Sequence, residues 1–290
     1  PKGNQAYNPQ GVATPAGWTI NIYGGKFVSS ENATVTSPLI VMGSGAANAT
    51  VNMYGGILDG NNVHVEGYPG VVQVANATAE FNMFDGTIQN GKSTTGCNVM
   101  VLAGAFNMHG GTITGGTTEE TGGNVYVLPS ASATTVPVFN MYGGEITLGV
   151  SESTSETKGG GNVAVGTRNG VVGRFNMYGG KISKGKATYG GNVRVIGGEF
   201  YMKDGTIEGF GTSAHNGNNY GANIHASSGV CTIDGGLLTN VYAQYRGGNI
   251  YTTGTATVTI NGGIFSNSKA SAGGNVAAYS TKPTTINGGT

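Results

Sequence analysis

The sequence predicts an all-β chain folded as a right-handed parallel β-helix, a β-solenoid of about ten three-strand rungs. The first observation is a phrase, written most fully as Phe-Asn-Met-Tyr-Gly-Gly-x-Ile, that recurs every 25 to 36 residues. The second is a companion phrase, Gly-Gly-Asn-Val-x-Val, that lies between successive copies. Periods of this length are typical of stacked solenoid coils. Gly makes up 55 of 290 residues, without a collagen triplet. These glycines stand at fixed places in an apolar pattern and do not indicate disorder.

The longer phrase predicts the strands and corners of each coil. Apolar and polar residues alternate in it with the period of a β-strand, so Phe and Met point inward and Asn and Tyr point outward. The Gly pair then turns the chain, because Gly tolerates a positive φ, and the next Ile or Leu points inward again. A tenth copy begins at Thr284, and the nine others are 20–27, 51–58, 81–88, 106–113, 139–146, 175–182, 200–207, 231–238 and 258–265.

The Asn of the companion phrase predicts an internal ladder. Identical amides stacked at strand spacing bond to one another and to the neighbouring backbone. A structural ladder is the preferred interpretation, and ligand binding is the alternative. Asn62 is taken as an earlier member, and the others are Asn98, Asn124, Asn162, Asn192, Asn223, Asn249 and Asn275.

The outward positions of the longer phrase predict a regular exposed face. One line is formed by Asn52, Asn82, Asn107, Asn140 and Asn176. A parallel line is formed by Tyr23, Tyr54, Phe84, His109, Tyr142 and Tyr178. Tyr combines apolar area with a hydrogen-bonding tip. Such a face would shield the sheet, pack on another copy or contact glycans, and shielding or self-packing is preferred.

One motif resembles a catalytic element but is rejected. Residues 86–93 satisfy the G-x-x-x-x-G-K-S pattern of a phosphate-binding loop, which requires a following helix. Here the segment begins at the corner of the third copy and continues into a Gly-rich and β-branched stretch. A chance match is the preferred interpretation.

No cofactor or metal site is predicted. Cys97 and Cys231 lie four to five rungs apart, roughly 20 Å at strand spacing, so both should be free and largely buried. The four histidines lack ligand spacing. Asp85 and Asp204 replace the first corner Gly, most simply as turn residues, with an isolated calcium contact as the alternative.

The chain as a whole reads as one domain. Residues 1–18 contain neither phrase and are expected to be a cap, a linker or a contact with another chain. Residues 19–290 form a single β-helix domain, expected to be truncated or to continue at its C-terminal end, because the tenth copy is partial. Three sequons, at Asn32, Asn48 and Asn76, would accept an N-linked glycan.

Charge and hydropathy limit the partners. Charged residues make up 10% of the chain and the formal net charge is zero, which argues against nucleic acid. No apolar run has membrane-spanning length, and the first residues lack the apolar core of a signal peptide.

At 106–113 the chain reads FNMHGGTI, and at 122–127 it reads GGNVYV. These units resemble the repeats of Gly-rich bacterial cell-surface proteins in the pectate-lyase-like β-helix superfamily, over nearly all of 19–290. A more distant likeness is to chlamydial polymorphic outer-membrane proteins, whose FxxN element is missing. The resemblance implies secretion, surface display, and adhesion or scaffolding. The calcium-site aspartates and catalytic basic residue of pectate lyases match no cluster here, so no enzymatic residue is carried over.

We therefore expect an extracellular, non-enzymatic structural or adhesive protein of the cell surface. The expected partners are other copies, end to end in a fibre or side to side, and glycans or cell-surface ligands. The rival hypothesis is a carbohydrate-binding or polysaccharide-cleaving β-helix. An enzyme of that kind should gather carboxylates on adjacent rungs, whereas the 14 acidic residues are dispersed.

Overall fold

A computed structural model of the chain describes residues 12–30, 37–65 and 69–290. Throughout these ranges the secondary structure consists of β-strands and turns, and it includes no helix. The strands of successive turns pair in parallel, and the sheet that follows the Gly corners contains nine of them. The predicted all-β parallel solenoid is confirmed, with about nine turns.

Each of nine turns contributes a strand to each of three lines, and a further partial turn contributes to the first two. The first line holds the companion phrase from its fourth strand onward, and its strands are Val12–Ala13, Ile40–Met42, Val72–Val74, Val99–Val101, Val125–Val127, Val163–Arg168, Ile250–Thr252 and Val276–Ala278. The second holds the Phe-Asn-Met strand, in Thr19–Ile22, Thr50–Met53, Glu80–Met83, Ala105–Met108, Val138–Met141, Arg174–Met177, Thr257–Ile260 and Thr284–Ile286. Two long strands, Val193–Met202 and Ile224–Ile233, run through both lines. The third line follows the Gly pair, in Lys26–Val28, Ile57–Asp59, Thr87–Gln89, Thr112–Thr114, Glu145–Thr147, Lys181–Ser183, Thr206–Glu208, Leu237–Thr239 and Ile264–Phe265.

Further short strands, which the sequence did not predict, follow the third line in several turns. His64–Val65, Lys92–Ser93, Thr117–Thr118 and Val150–Ser151 form one small sheet, and Val241–Tyr242 pairs with Ser268–Lys269. Val171–Val172 pairs antiparallel with the end of Val163–Arg168. A second corner precedes these strands, where single residues adopt positive φ. Asn90 (54°) and Asn240 (51°) suit this left-handed conformation, whereas Leu148 (58°) and Lys184 (52°) are unusual there.

The register places like residues over like residues. Phe106 pairs with Phe81 on one side and with Phe139 on the other. Successive core Phe rings stack with centroids 4.8 to 5.7 Å apart. The predicted core lines are confirmed as buried: Phe81, Phe106, Phe139, Phe175 and Phe200; Met53, Met83, Met108, Met141, Met177 and Met202; Ile88, Ile113, Ile146, Ile182 and Ile207.

Core methionines, together with the backbone of the preceding turn, crowd the second Gly of six corners, Gly86, Gly111, Gly144, Gly180, Gly205 and Gly236. A Cβ added to Gly144 would lie 2.7 Å from Met108 Cε and 2.6 Å from the carbonyl oxygen of Gly111. The same contact recurs between Met53 and Gly86, at 2.6 Å. The Met tail of one turn therefore fills the space that a side chain at the next corner would need.

The strand register shows that the prediction of Asn62 as a member of the internal ladder is wrong. Val99 pairs with Val72, so the position of Asn98 is taken in the preceding turn by Val71, which is fully buried. Asn62 instead lies in a turn with φ 54°, just before His64–Val65. Its Asn-Val-His-Val sequence imitates the companion phrase locally, but pairing over the whole turn decides the register.

Strand pairing also decides the assignment of two other segments, 12–13 and 86–93. Val12–Ala13 pairs with Ile40–Val41 and so belongs to the first line, while residues 1–11 lie outside the described residues. Within 86–93 the chain forms Thr87–Gln89 and Lys92–Ser93. No helix follows in the described part of this segment, so the helix that a phosphate-binding loop requires is not formed there.

Replacing Gly144 with Ala should lower the free energy of unfolding by about 2–4 kcal/mol, because the new methyl group adds overpacking to an unfavourable φ. Gly170→Ala is the matched control, since Gly170 has a similar φ of 79° and no atom within 4 Å of the added Cβ. That variant should lose only about 1–2 kcal/mol. Urea unfolding followed by circular dichroism measures both, and equal losses would contradict the Met–Gly explanation.

Candidate contact surface and buried ladders

Six outward rings of the second line form an exposed aromatic ladder. The rings of Tyr23, Tyr54, Phe84, His109, Tyr142 and Tyr178 lie nearly parallel, with interplanar angles of 6° to 12°. Five centroid spacings of 4.9 to 5.2 Å give a ladder about 25 Å long at strand spacing. Each ring stays partly open to solvent, from 38% for Tyr178 to 74% for Tyr23 among the tyrosines.

The orientation of the rings limits what they can contact. Each inner ring of the ladder has its two faces covered by the rings of the turns before and after it. Only ring edges and the phenol hydroxyls remain available to a partner. Recognition by stacking on a ring face is therefore blocked along the interior of the ladder.

A ladder of amides runs beside the rings. The side-chain nitrogen of each Asn donates to the side-chain oxygen of the Asn one turn before it, at 2.9 to 3.0 Å. Its members are Asn21, Asn52, Asn82, Asn107, Asn140 and Asn176. Each inner member keeps one amide hydrogen and one oxygen lone pair for another partner. The outward positions of these two ladders are called the aromatic–amide face below.

The aromatic–amide face ends after its sixth turn. The ring position is then taken by Lys203, Asp234 and Asn261. Asn261 Nδ2 donates to Asp234 Oδ1 at 2.7 Å, and the Tyr201 hydroxyl donates to Asp234 Oδ2 at 2.8 Å. These two donors hold the pKa of Asp234 below its ordinary value. The rod surface thus changes from neutral and aromatic to polar and charged.

The predicted internal ladder is present and buried. Amide bonds of 2.7 to 2.9 Å link its neighbours in sequence order, Asn98, Asn124, Asn162, Asn192, Asn223, Asn249 and Asn275. The first six are fully buried.

Each central Asn also closes its own turn. Asn162 Nδ2 donates to Asn192 Oδ1 and to the carbonyl of Ser183, and its Oδ1 accepts from Asn124 Nδ2 and the amide of Gly149. All four bonds measure 2.7 to 2.9 Å. The side chain therefore joins the start of the first line to the corner after the third line. With its amide saturated, a central Asn has no donor or acceptor left for a ligand.

A second packed layer, which the sequence did not indicate, lies outside the first line. The outward positions of the companion phrase are covered by connecting segments and are at most 8% exposed from Gln73 to Tyr251. Its most unusual member is Arg194, which is fully buried and bonds only to backbone carbonyls, including those of Glu156 (2.6 Å) and Lys158 (2.9 Å). Burial lowers the pKa of Arg194 to about 10. This side chain fastens the connection 151–160 to the sheet.

His225 lies next to Arg194 in the same layer. Its ring lies between Tyr189 and Tyr251, with centroids 5.4 and 4.8 Å away, and its Nε2 lies 2.9 Å from the Thr253 hydroxyl. Its Nδ1 is buried and has no hydrogen-bond partner among the described residues. Burial, with a smaller effect of the Arg194 charge, lowers the pKa of His225 well below 6.5.

Both cysteines and the two corner aspartates have structural surroundings. Cys97 and Cys231 are free and buried, as predicted, and burial raises the pKa of the Cys97 thiol to about 11. Asp85 and Asp204 each accept a bond of 2.7 Å from the amide of the next Gly, which is a turn contact. Among the residues of the described ranges, no three His, Cys, Asp or Glu side chains gather as a metal site.

Asp59 is the most perturbed acid. Burial raises its pKa, but hydrogen bonds from Gln89, Asn61, Lys26 and Asn90 outweigh that effect and hold it at about 2. Its side-chain oxygens lie 2.8 Å from Gln89 Nε2 and 3.0 Å from Lys26 Nζ. These four groups occupy the carboxylate with hydrogen bonds, which suits a structural role.

One open groove follows the Gly corners of the polar half. Its volume is about 470 Å³. Its one carboxylate, Asp204, already accepts the amide of Gly205. Glycoside hydrolysis uses a pair of carboxylates across the bond, and the groove supplies one. Its lining is Asp204, Gly205, Thr206, Gly235, Gly236, Leu237, Gly263 and Ile264.

Two of the three sequons lie on adjacent turns. Asn48 is exposed, and its backbone amide donates to the Thr78 hydroxyl at 2.8 Å. Asn76 Oδ1 accepts from both the amide and the hydroxyl of Thr78, and its Nδ2 donates to the Ser44 carbonyl at 3.1 Å. Asn32 lies outside the described residues.

Replacing Asn162 with Ala should lower the free energy of unfolding by about 3–5 kcal/mol, because it leaves buried donors and acceptors without partners. Asn140→Ala is the matched control. That change removes the same side chain from the outer ladder, where water can replace its bonds, and should cost about 1 kcal/mol or less. Thermal and urea unfolding measure both, and similar losses would contradict a structural role for the inner ladder.

Stability should depend on pH through His225. Its folded-state pKa is depressed, so the unfolded state binds the proton first and the fold loses stability as pH falls below 6.5. Between pH 7.5 and 5 the free energy of unfolding of the native chain should fall more steeply than that of His225→Phe, which keeps a ring between the two tyrosines. Urea midpoints across this range test the prediction. Parallel pH profiles would contradict it.

The comparisons with known proteins assign no family. No protein-family model matches the chain, and a search of curated proteins and one of solved structures find no match. Within the described ranges, none of the secondary structure is a helix of the length and apolarity needed to cross a bilayer. The parallel β-solenoid and its asparagine ladder therefore stand on their own geometry.

Proposed function

We propose that the chain is an extracellular, non-catalytic structural or adhesive element of a cell surface. The observation that carries the proposal is the aromatic–amide face, where six turns repeat an outward Asn beside an exposed aromatic ring. Such repetition suits a long contact surface, whereas a catalytic site needs different side chains that converge on one point. The resemblance of the repeats to Gly-rich surface proteins of the β-helix superfamily supports the same proposal.

The solenoid also suits end-to-end growth. Parallel, in-register pairing passes the same backbone donors and acceptors from each turn to the next. A turn supplied by a second copy would continue the ladders without a change of geometry. Head-to-tail stacking into a fibre is part of the proposal.

Glycan binding is the second candidate, favoured by exposed tyrosines such as Tyr142, which is 47% exposed. Because the ring faces are covered, a sugar would have to bond to ring edges, hydroxyls and outer amides. A glycan array would identify this function if binding disappeared in a variant with Tyr142→Ala and Tyr178→Ala. The polysaccharide-cleaving version would need a second carboxylate beside Asp204 in the groove.

The location of the protein on its source cells and the shape of the released particles test the proposed function directly. Gold-labelled antibodies against the chain should mark the outside of intact source cells, and negative-stain microscopy of released material should show rods or fibres of uniform width. Protease treatment of intact cells should remove the label, with a cytosolic protein as the control for lysis. Label confined to the cell interior would overturn the proposal.

A further inference from the structure

The aromatic–amide face has the composition of an interface, and no other described residue of the chain covers it. Its twelve outward side chains are Asn, Tyr, Phe and one His, and the face contains no Lys, Arg, Asp or Glu. Depletion of charge with enrichment of Tyr distinguishes the cores of protein interfaces from other surface. A charged ligand would find nothing on this face to recognise.

The spacing of the rings and the free groups of the amides indicate what kind of partner fits this face. A partner must offer contacts every 4.9 to 5.2 Å, since the rings present edges at that spacing. The amides offer one donor and one acceptor in each inner turn. A second ladder of the same kind satisfies both requirements, because amide ladders are self-complementary and like ladders share one spacing.

The charged residues beside the face indicate how a second copy would be oriented relative to the first. The outward line next to the Asn ladder contains Glu80 in the third turn, Arg174 in the sixth and Glu199 in the seventh. Glu80 is exposed and forms no ion pair with any other described residue. Arg174 is paired with Glu199 at 2.7 Å, but its side chain remains 43% exposed.

We propose that this face is an isologous, antiparallel interface between two copies of the chain, in which Glu80 of each copy faces Arg174 of the other. A two-fold axis along the strand direction makes the third turn of one copy face the sixth turn of the other. Both Glu–Arg pairs then form at once, as two-fold symmetry requires. The inference deepens the proposed function and rests on it only for the expectation of self-association.

The same axis fixes the other contacts. His109 faces Tyr142 of the second copy, and Asn107 faces Asn140. In the outer turns, Tyr54 faces Lys203 and Tyr23 faces Asp234, so a cation meets a ring and a hydroxyl meets a carboxylate. A contact area that is eight turns long and extends across three outward lines of side chains covers roughly 500 Å² of each copy at standard strand dimensions. A total near 1,000 Å² is at the lower limit for specific interfaces, so the dimer is weak and reversible.

Site-specific cross-linking tests the orientation with the full chain. Facing sheets lie about 10 Å apart, a distance that a short bis-maleimide spans. A mixture of the Glu80→Cys and Arg174→Cys variants should give a cross-linked dimer that contains one copy of each. Either variant alone should give none, because like positions lie three turns apart in this arrangement. Cys97 and Cys231 are buried and should not react. Thr154→Cys, at an exposed position of 151–160, is the control for random collision.

Sedimentation velocity tests the face itself. Tyr142→Glu should weaken dimerisation at least tenfold, whereas Tyr245→Glu, at a tyrosine of similar exposure away from the face, should leave it unchanged. Glu80→Arg should also weaken it, and adding Arg174→Glu should restore it. Circular dichroism confirms that each variant remains folded.

Several results would overturn the interface. They are a native chain that stays monomeric at millimolar concentration, Glu80→Cys that cross-links to itself, and a monomer that instead binds soluble glycans through Tyr142. Failure of the proposed function can be distinguished from failure of the interface. Dimers of a chain found only inside cells would leave the interface standing, whereas a monomeric surface protein would remove the interface alone.

Discussion

The structure depends on in-register parallel stacking of turns whose lengths differ. Stacking at strand spacing forces each inward side chain to meet the same position of the next turn, so a residue that packs well on itself is favoured along a whole line. Phe, Met and Asn each do so in a different way, through rings, flexible tails and paired amides. The inner Asn ladder is decisive, because it bonds along the axis and also closes each turn from the first line to the corner.

The outer surface follows from the same register. Outward Asn and aromatic side chains are stacked as regularly as the core, yet they remain open to solvent. Stacking hides the ring faces, which turns an apparent platform for sugars into a row of edges. The resulting face is neutral, periodic and self-complementary, and these three properties together favour a second copy over a charged or ring-stacking ligand. The proposed function therefore depends on a repeated surface pattern.

Sequence reasoning succeeded where the repeat carries the information. Period-2 alternation located the core lines, and the fixed Asn of the companion phrase located the inner ladder. It was wrong at Asn62, because a local Asn-Val-His-Val sequence does not show that Val71 occupies the pairing position. It missed the corners at Leu148 and Lys184, since neither residue type favours a positive φ. It also missed the buried Arg194, because the segments that cover it lie outside the repeat and vary in length.

The central claim is that the inner asparagine side chains are a buried, continuous hydrogen-bond ladder, while the outer ones form a surface ladder. Hydrogen exchange of the Asn side-chain amides, resolved by NMR, measures this difference directly. The account predicts that the amide protons of Asn124, Asn162 and Asn192 exchange as slowly as the backbone amides of the adjacent strands. Those of Asn107 and Asn140 should exchange much faster. Fast exchange at the inner positions, or equal rates in the two ladders, would contradict the account.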